Sequence, residues 1–246
     1  MRERVSVIQG NIPMLLVAPH GSDDNNTDLL TEEITKHLGC YAIINRGFDC
    51  ANYVDVENDK ADCNRIDHIT KDVVFDEFLK PILKINQKLT GMTMFSSLEQ
   101  RRMSIFYIHG VEDSIHKIAN ERVDVVLGYG IGRKKDSLTC KRWKKNLLVE
   151  LWRSESHHGE VYEGKGGGKY AGRSANNLNQ YFRKHKMDRN VDSMELQVPN
   201  CYRTDSEIKN TATRIATVLE RLSKWDSSNH IVEVKSDNFS NDSKFI

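Results

Sequence analysis

The stretch MLLVAPHG, residues 14–21, gives the clearest indication of the fold. An apolar run over residues 14–18 is followed directly by a proline, a histidine and a glycine. A continuous apolar run of this kind predicts a strand buried on both faces, because a half-exposed strand would alternate polar and apolar residues. The glycine permits a sharp turn and leaves room for another group beside His20.

A second stretch, IFYIHG at residues 105–110, repeats this arrangement with His109. Short runs rich in apolar and β-branched residues predict the remaining strands at Val5–Ile8, Tyr41–Ile44, Val123–Leu127 and Met194–Val198. Apolar residues at helical spacing predict helices over Asp28–Leu38, Val73–Leu89 and Glu207–Trp225, with a kink or break at Pro81. The alternation of strands and helices predicts a three-layer α/β/α fold around a central mixed, largely parallel sheet.

The chain of 246 residues has no internal repeat and no linker that would divide it. We therefore expect one catalytic domain over residues 1–246, with a loosely held C-terminal tail at 227–246. Residues 231–234 within that tail could add an edge strand. Six glycines between Gly159 and Gly172 predict a mobile loop.

Charge and cysteine content exclude several classes of protein. The 36 basic and 35 acidic residues leave a net charge of +1, so we expect neither a nucleic-acid partner nor a membrane partner. The basic run at 141–145 precedes leucines at helical spacing and is interpreted as a solvated helix face. Five scattered cysteines without a CxxC pair favour free thiols in a reducing compartment. The first residues lack the apolar core of a signal peptide, and a cytoplasmic location is expected.

The two histidine–glycine corners predict a metal site. Ligands of open α/β sheets bind beyond the carboxyl ends of the strands, where His20 and His109 are expected to converge. Asp23 and Asp24 follow His20 closely, and two imidazoles with one carboxylate form a three-ligand set suited to catalytic zinc. The sequence leaves open which aspartate is the ligand, because the other could form a polar turn or orient a histidine.

The order of these motifs resembles the N-formylglutamate amidohydrolase-like branch of the zinc carboxypeptidase-type superfamily, which is also similar to poly-γ-glutamate hydrolases. The resemblance is carried by APHG at 18–21, DCNR at 62–65, VDVVLG at 123–128, the glycine-rich loop before Arg173, and MELQV at 194–198. It implies a carboxypeptidase-like (phosphorylase/hydrolase-like) fold and one Zn²⁺ ion. A third ligand at the carboxypeptidase spacing favours Asp23, whereas an alignment anchored on Thr27 favours Asp24.

The resemblance also implies roles for four further residues. Glu195 corresponds to the general base that activates zinc-bound water, and Asn64 with Arg65 corresponds to a clamp for a substrate carboxylate. Arg46 resembles an arginine that stabilises the oxyanion. Either arginine could instead form a structural ion pair with a nearby aspartate at 49, 62 or 67.

The expected function is therefore hydrolysis of an amide bond in a small or short peptide-like substrate that carries a carboxylate. An N-acyl amino acid or a γ-glutamyl-type amide is the substrate class that the resemblance implies. A non-catalytic relative that binds a metal or a ligand on the same fold is the alternative. The oligomeric state does not follow from the sequence.

Overall fold

The computed structural model describes residues 3–21, 23–91, 102–130, 138–155, 160–164, 170–187 and 190–239. A seven-stranded sheet lies at the centre of the described structure. Its strands are β1 (Val5–Ile8), β2 (Met14–Ala18), β3 (Tyr41–Asn45), β4 (Met103–Val111), β5 (Val123–Gly128), β6 (Glu160–Glu163) and β7 (Val191–Pro199). The apolar runs of the sequence predict all of these strands except β6.

The sheet is mixed and largely parallel. Its strand order is β1-β3-β2-β4-β7-β5-β6. The central strands β3, β2, β4 and β7 are parallel, as is the outer pair of β5 and β6. β1 is antiparallel to β3, and β5 is antiparallel to β7. This topology confirms the fold class predicted from the sequence.

Helices cover both faces of the sheet and complete three layers. The helices are α1 (Thr27–Leu38), α2 (Ile66–Ile69), α3 (Asp72–Val74), α4 (Lys80–Thr90), α5 (Ile115–Ala119), α6 (Arg142–Glu155), α7 (Tyr181–Lys184) and α8 (Ile208–Phe239). Side chains of α1, α6 and α8 form one apolar core with Leu16 of β2. Side chains of α2, α4 and α7 form the opposite core with Leu15 and Val17. Successive residues of a strand point to opposite faces, so a continuously apolar β2 supplies both cores.

The helical pattern at residues 73–89 folds as consecutive pieces. α3 leads into a π-helical turn at Phe75–Leu79, and α4 follows. Pro81 lies in the first turn of α4. Proline has no N–H to donate, and its ring clashes with the preceding turn of a regular helix. The kink or break predicted at Pro81 therefore takes the form of a wider, π-helical turn immediately before α4.

The C-terminal helix α8 extends beyond its predicted end. It runs to Phe239, so residues 231–234 are helical and an edge strand there is wrong. Residues 240–246 lie outside the described part of the chain, and the loosely held tail stays a prediction.

The glycine-rich segment at 159–172 contributes the edge strand β6, and residues 159 and 165–169 of that segment lie outside the described residues. Among the described helices, none combines the length and apolar character required to cross a bilayer.

Candidate active site

Three neighbouring parallel strands bring three of the predicted site residues to one edge of the sheet. His20 follows β2, His109 lies near the end of β4, and Glu195 lies within β7. In the β4–β7 register, His109 pairs with Gln197 and Tyr107 pairs with Glu195. Paired residues, and residues two apart on one strand, share a face of the sheet. His109 and Glu195 therefore project from the same face.

His20, Asp24 and His109 form a compact group of potential metal ligands. The Nδ1 atoms of His20 and His109 lie 3.8 and 3.7 Å from Asp24 Oδ2, and the ring centroids lie 5.2 Å apart. One ligand atom from each residue lies within 4.8 Å of the others. The N···O separations are too long for hydrogen bonds. They are close to the separation of about 3.4 Å between two tetrahedral ligands at about 2.1 Å from a zinc ion.

The structure brings Asp24, rather than Asp23, to both imidazoles. Asp24 Oδ2 also accepts the backbone N–H of Gly110 at 2.9 Å. Burial acts to raise the pKa of Asp24, but the imidazoles of His109 and His20 outweigh burial and hold that pKa well below its usual range. Asp23 instead accepts the backbone N–H of Cys50 at 2.6 Å.

Asp62 fixes the orientation of His20 from the opposite side of the ring. His20 Nε2 donates to Asp62 Oδ1 at 2.8 Å, and the backbone N–H of Asp62 donates to His68 Nδ1 at 3.0 Å. A proton on Nε2 leaves the lone pair of the neutral ring on Nδ1, which faces Asp24. Burial acts to lower the pKa of His20, whereas Asp24 and Asp62 raise it to about 12. The same two carboxylates would favour a divalent cation beside the ring in place of that proton.

Glu195 is a buried carboxylate held by two side-chain amides. Its Oε1 accepts from Asn177 Nδ2 at 2.8 Å, and its Oε2 accepts from Gln197 Nε2 at 2.9 Å. A Cβ at Gly128, on the neighbouring strand β5, would lie 2.7 Å from Glu195 Oε2 and 2.8 Å from the backbone oxygen of Tyr170, so this position requires a glycine.

The predicted ligands and Glu195 open into one cavity of about 440 Å³. Its wall is mostly polar and includes His20, Asp23, Asp24, Asn25, Asn64, His109, Gly110, Val111, Glu112, Tyr170, Asn177, Glu195, Gln197, Asn200 and Arg203. Two buried polar atoms on this wall, Asn64 Oδ1 and His109 Nε2, have no hydrogen-bond partner within the described part of the chain. The cavity thus combines a set of potential metal ligands and a carboxylate within a mostly polar wall.

Comparison with solved structures extends the likeness from the motifs to the fold. The chain superposes on an N-formylglutamate amidohydrolase from Ralstonia eutropha JMP134 with a TM-score of 0.56 and 9% identity, covering 93% of this chain and 100% of the other. A bacteriophage poly-γ-glutamate hydrolase gives 0.51 and 12%, covering 91% and 89%. A gene product from Agrobacterium tumefaciens gives 0.53 and 12%, covering 93% and 96%. The fold is shared. No family model and no curated protein matches the sequence.

A larger depression of about 770 Å³ beside α5 contains His116 and Cys201, which form a second cluster with Asp113. His116 Nδ1 accepts the backbone N–H of Val123 at 3.1 Å, so the neutral ring carries its proton on Nε2, the atom 3.5 Å from Cys201 Sγ. A protonated nitrogen is not a metal ligand. Burial raises the pKa of the Cys201 thiol to about 11, which disfavours the thiolate as well. The larger depression is therefore the weaker candidate.

The structure does not bring Arg46 or Arg65 to the cavity wall. Arg46 forms ion pairs with Asp28 and Glu32 of α1, and it donates to Ser6 Oγ at 2.9 Å. Arg65 donates to both carboxylate oxygens of Asp67, at 3.1 and 2.7 Å. Asn64, the neighbour of Arg65, does line the cavity. Of the three substrate-contacting residues that the resemblance implies, only Asn64 lines the cavity.

Four residues of the site have roles that the sequence did not predict: Asp62, Asn177, Gln197 and Arg203. Gln197 could have been found, because it follows Glu195 by two residues on a strand and must share its face. Asp62 lies within the DCNR motif, but its hydrogen bond to His20 spans 42 residues and carries no local signal. Asn177 and Arg203 lie outside the predicted strands and helices, where periodicity gives no information.

Proposed function

We propose that the chain is a zinc-dependent amidohydrolase, in which His20, Asp24 and His109 hold one zinc ion and Glu195 acts as the general base. The observation that carries this proposal is the shared cavity. Three ligand atoms at metal-binding separations and a buried carboxylate with two amide donors line the same 440 Å³ space. Asp23, Arg46 and Arg65 are left out of the proposed machinery because their side chains are engaged elsewhere.

The donor atoms fit zinc better than a hard cation. Two imidazole nitrogens and one carboxylate oxygen form a mixed N/O set, whereas calcium and magnesium prefer oxygen ligands throughout. The hydrogen bond from His20 Nε2 to Asp62 leaves Nδ1 available as a ligand atom. A zinc ion at this position would supply a Lewis acid that polarises a carbonyl and lowers the pKa of water.

Glu195 would transfer a proton from the attacking water to the leaving nitrogen. Its carboxylate is buried and lies on the face of the sheet from which His109 projects. With its oxygens held by Asn177 and Gln197, it would take a proton from the attacking water and deliver that proton to the leaving nitrogen. The two amides restrict rotation of the carboxylate, so they would act as positioning residues.

The proposed substrate is an N-acyl amino acid or a γ-glutamyl-type amide that carries a carboxylate. Two proteins that share the fold are named for N-formylglutamate and for poly-γ-glutamate. Asn64 lines the cavity, and its side-chain oxygen has no partner among the described residues, so a rotation of this side chain would let it receive an N–H of such a substrate.

Metal analysis combined with an amidase panel tests the proposal. We expect one zinc per chain and hydrolysis of at least one member of a panel of N-formyl, N-acetyl and γ-glutamyl amides. Glu195→Gln should keep the zinc and lose activity by about 10²- to 10⁴-fold, because it removes the proton acceptor and preserves the shape. His109→Ala should lose both zinc and activity.

Stoichiometric zinc without turnover of any panel member would instead favour the non-catalytic, metal-binding alternative. Activity that survives in Glu195→Gln would contradict the assignment of the general base.

A further inference from the structure

Among the described residues that line the cavity, Arg203 is the one with a permanently positive side chain. It lies beyond the end of β7 and is only 4% exposed. Four carboxylates line the same wall: Asp23, Asp24, Glu112 and Glu195. Asp24, Asp113 and Glu112 interact electrostatically with Arg203, but none of the described residues places a carboxylate oxygen within ion-pair distance of its guanidinium.

Neutral acceptors fix the guanidinium of Arg203 in place. Its Nε donates to the backbone oxygen of Val198 at 3.0 Å, and its Nη2 donates to Asn200 Oδ1 at 3.0 Å. Its Nη1 donates to the backbone oxygen of Asn25. A guanidinium carries five N–H groups. Two therefore remain without a protein acceptor among the described residues, on a group that is already held rigidly.

Gly110 allows this guanidinium to approach the metal-ligand group. A Cβ at Gly110 would lie 2.4 Å from Arg203 Nη2 and 2.7 Å from its Cζ. The same glycine donates its N–H to Asp24 and directly follows His109. The glycine of the second histidine corner thus makes room for a cation immediately beside the proposed zinc ligands.

An anion would complete this arrangement. Burial lowers the pKa of Arg203, because removal from water disfavours the charged guanidinium. Asp24, Asp113 and Glu112 offset part of this cost from beyond ion-pair distance, and a ligand carboxylate in direct contact with the guanidinium would offset more of it. A carboxylate matches the fork of a guanidinium, and charge-assisted hydrogen bonds of this kind are among the strongest in proteins.

Arg65 is the rival for this role, and its charge is already neutralised. Both oxygens of Asp67 accept from its guanidinium, and its side chain is 33% exposed. Releasing Arg65 for a substrate would require this bidentate pair to break.

We propose that Arg203 binds a carboxylate of the substrate and selects for carboxylate-bearing amides. The inference deepens the proposed amidohydrolase function and rests on it for the identity of the ligand as a substrate. The cavity would accept a molecule with one end at the proposed zinc ligands and an anionic end at Arg203.

The test is the binding of aliphatic dicarboxylates of three to six carbons and of their monomethyl esters to the zinc-loaded protein, measured by calorimetry. Both members of each pair have one carboxylate that can contact the metal, but only the diacid has a second one for Arg203. We expect the best diacid to bind about 10- to 100-fold more tightly than its ester, as expected for hydrogen bonds between charged groups. Equal binding of diacid and ester by the wild-type protein overturns the proposal before any variant is made.

The variants then assign the preference to a residue. Arg203→Met and Arg203→Lys should remove most of the preference for the diacid, while Arg65→Met should retain it. Loss of the preference in Arg65→Met, or its survival in a folded Arg203 variant, would assign the role elsewhere. Circular dichroism identifies a variant that fails to fold, and Arg203→Lys keeps the charge if methionine is not tolerated.

The binding measurement requires no turnover. A diacid preference that depends on Arg203 in a protein without amidase activity would leave this subsite standing while the proposed hydrolysis fails. Amidase activity without any diacid preference would support the proposed hydrolysis and contradict the proposed role of Arg203.

Discussion

His20 is the residue on which the candidate site depends most, because each of its ring nitrogens faces a carboxylate. Nε2 donates to Asp62 at 2.8 Å, and Nδ1 lies 3.8 Å from Asp24. The first contact is a hydrogen bond, and the second is a separation between potential ligands of one ion. The hydrogen bond selects the tautomer, so the proposed metal site would depend on a residue that is not one of its proposed ligands.

Replacing Asp62 by asparagine should therefore weaken zinc binding. The amide preserves the size of the side chain but lacks the negative charge that holds the proton on His20 Nε2. Loss of a carboxylate partner of a ligating histidine typically weakens metal binding by about 10- to 100-fold. Competition with a chromophoric chelator measures the zinc affinity of Asp62→Asn.

Asp67→Asn is the matched control for this change. Asp67 lies nearby along the chain but pairs with Arg65 rather than with a histidine. We expect its zinc affinity to equal that of the wild type. Equal affinities in all three proteins would mean that Asp62 does not position His20 for a metal.

The elements of the fold differ in how far the sequence predicts them. β2 and β4 are buried and apolar along most of their length, so their sequence pattern is clear. β7 is equally buried but contains four polar residues, and the sequence predicts only its second half, Met194–Val198. β6 has the sequence EVYE and joins the sheet only through β5, so its residues carry no strong strand pattern. The histidine corners follow from the strand ends. Arg65 pairs with Asp67 two residues away, which is one of the alternatives that the sequence offers. The pairing of Arg46 with α1 and the position of Arg203 beside Gly110 depend on tertiary contacts that spacing does not encode.

The contact between α6 and β7 contains a buried charge cluster. Lys144 of α6 is fully buried, and its Nζ lies 3.4 Å from Asp192 Oδ2. Arg102 Nη2 contacts the other oxygen of Asp192 at 2.9 Å. The basic run predicted as a solvated helix face thus has one member turned inward. Burial acts to raise the pKa of Asp192, but Lys144 and Arg102 outweigh burial and lower it.

Asp192→Asn should destabilise the protein by about 3 kcal/mol at pH 7, because it removes the buried negative charge that both Lys144 and Arg102 contact. The folded-state pKa of Asp192 is lowered, so its contribution is present above the unfolded pKa of about 3.9 and is lost as pH falls through the folded value. The difference from the wild type should therefore shrink on acidification below about pH 4. Urea unfolding at several pH values measures it.

Asp76→Asn removes an exposed carboxylate from its pair with Lys80 in the same kind of substitution. We expect a change below about 1 kcal/mol, as is usual for exposed ion pairs. Similar destabilisation by both variants would show that the buried cluster around Asp192 contributes no more to stability than an exposed ion pair.

At the scale of the whole molecule, the site is assembled from segments that are distant along the chain. The two histidines lie after β2 and within β4, Asp62 lies in the connection between β3 and α2, and Glu195 lies in β7. An unfolded chain cannot hold these groups at their observed separations. A metal that binds here should therefore bind the folded state almost exclusively, which links zinc affinity to global stability.

Zinc should raise the free energy of unfolding by about 2.7 kcal/mol at a free concentration 100-fold above its dissociation constant. For a chain of this length that corresponds to an increase in Tm of about 5–10 °C, which scanning calorimetry with and without a chelator can measure. His109 is buried, so His109→Ala should itself lower the Tm; the decisive quantity is the zinc-dependent increment, which should disappear. An equal increment in His109→Ala would place the ion elsewhere, and the group formed by Asp113, His116 and Cys201 would then become the site to test by Cys201→Ser.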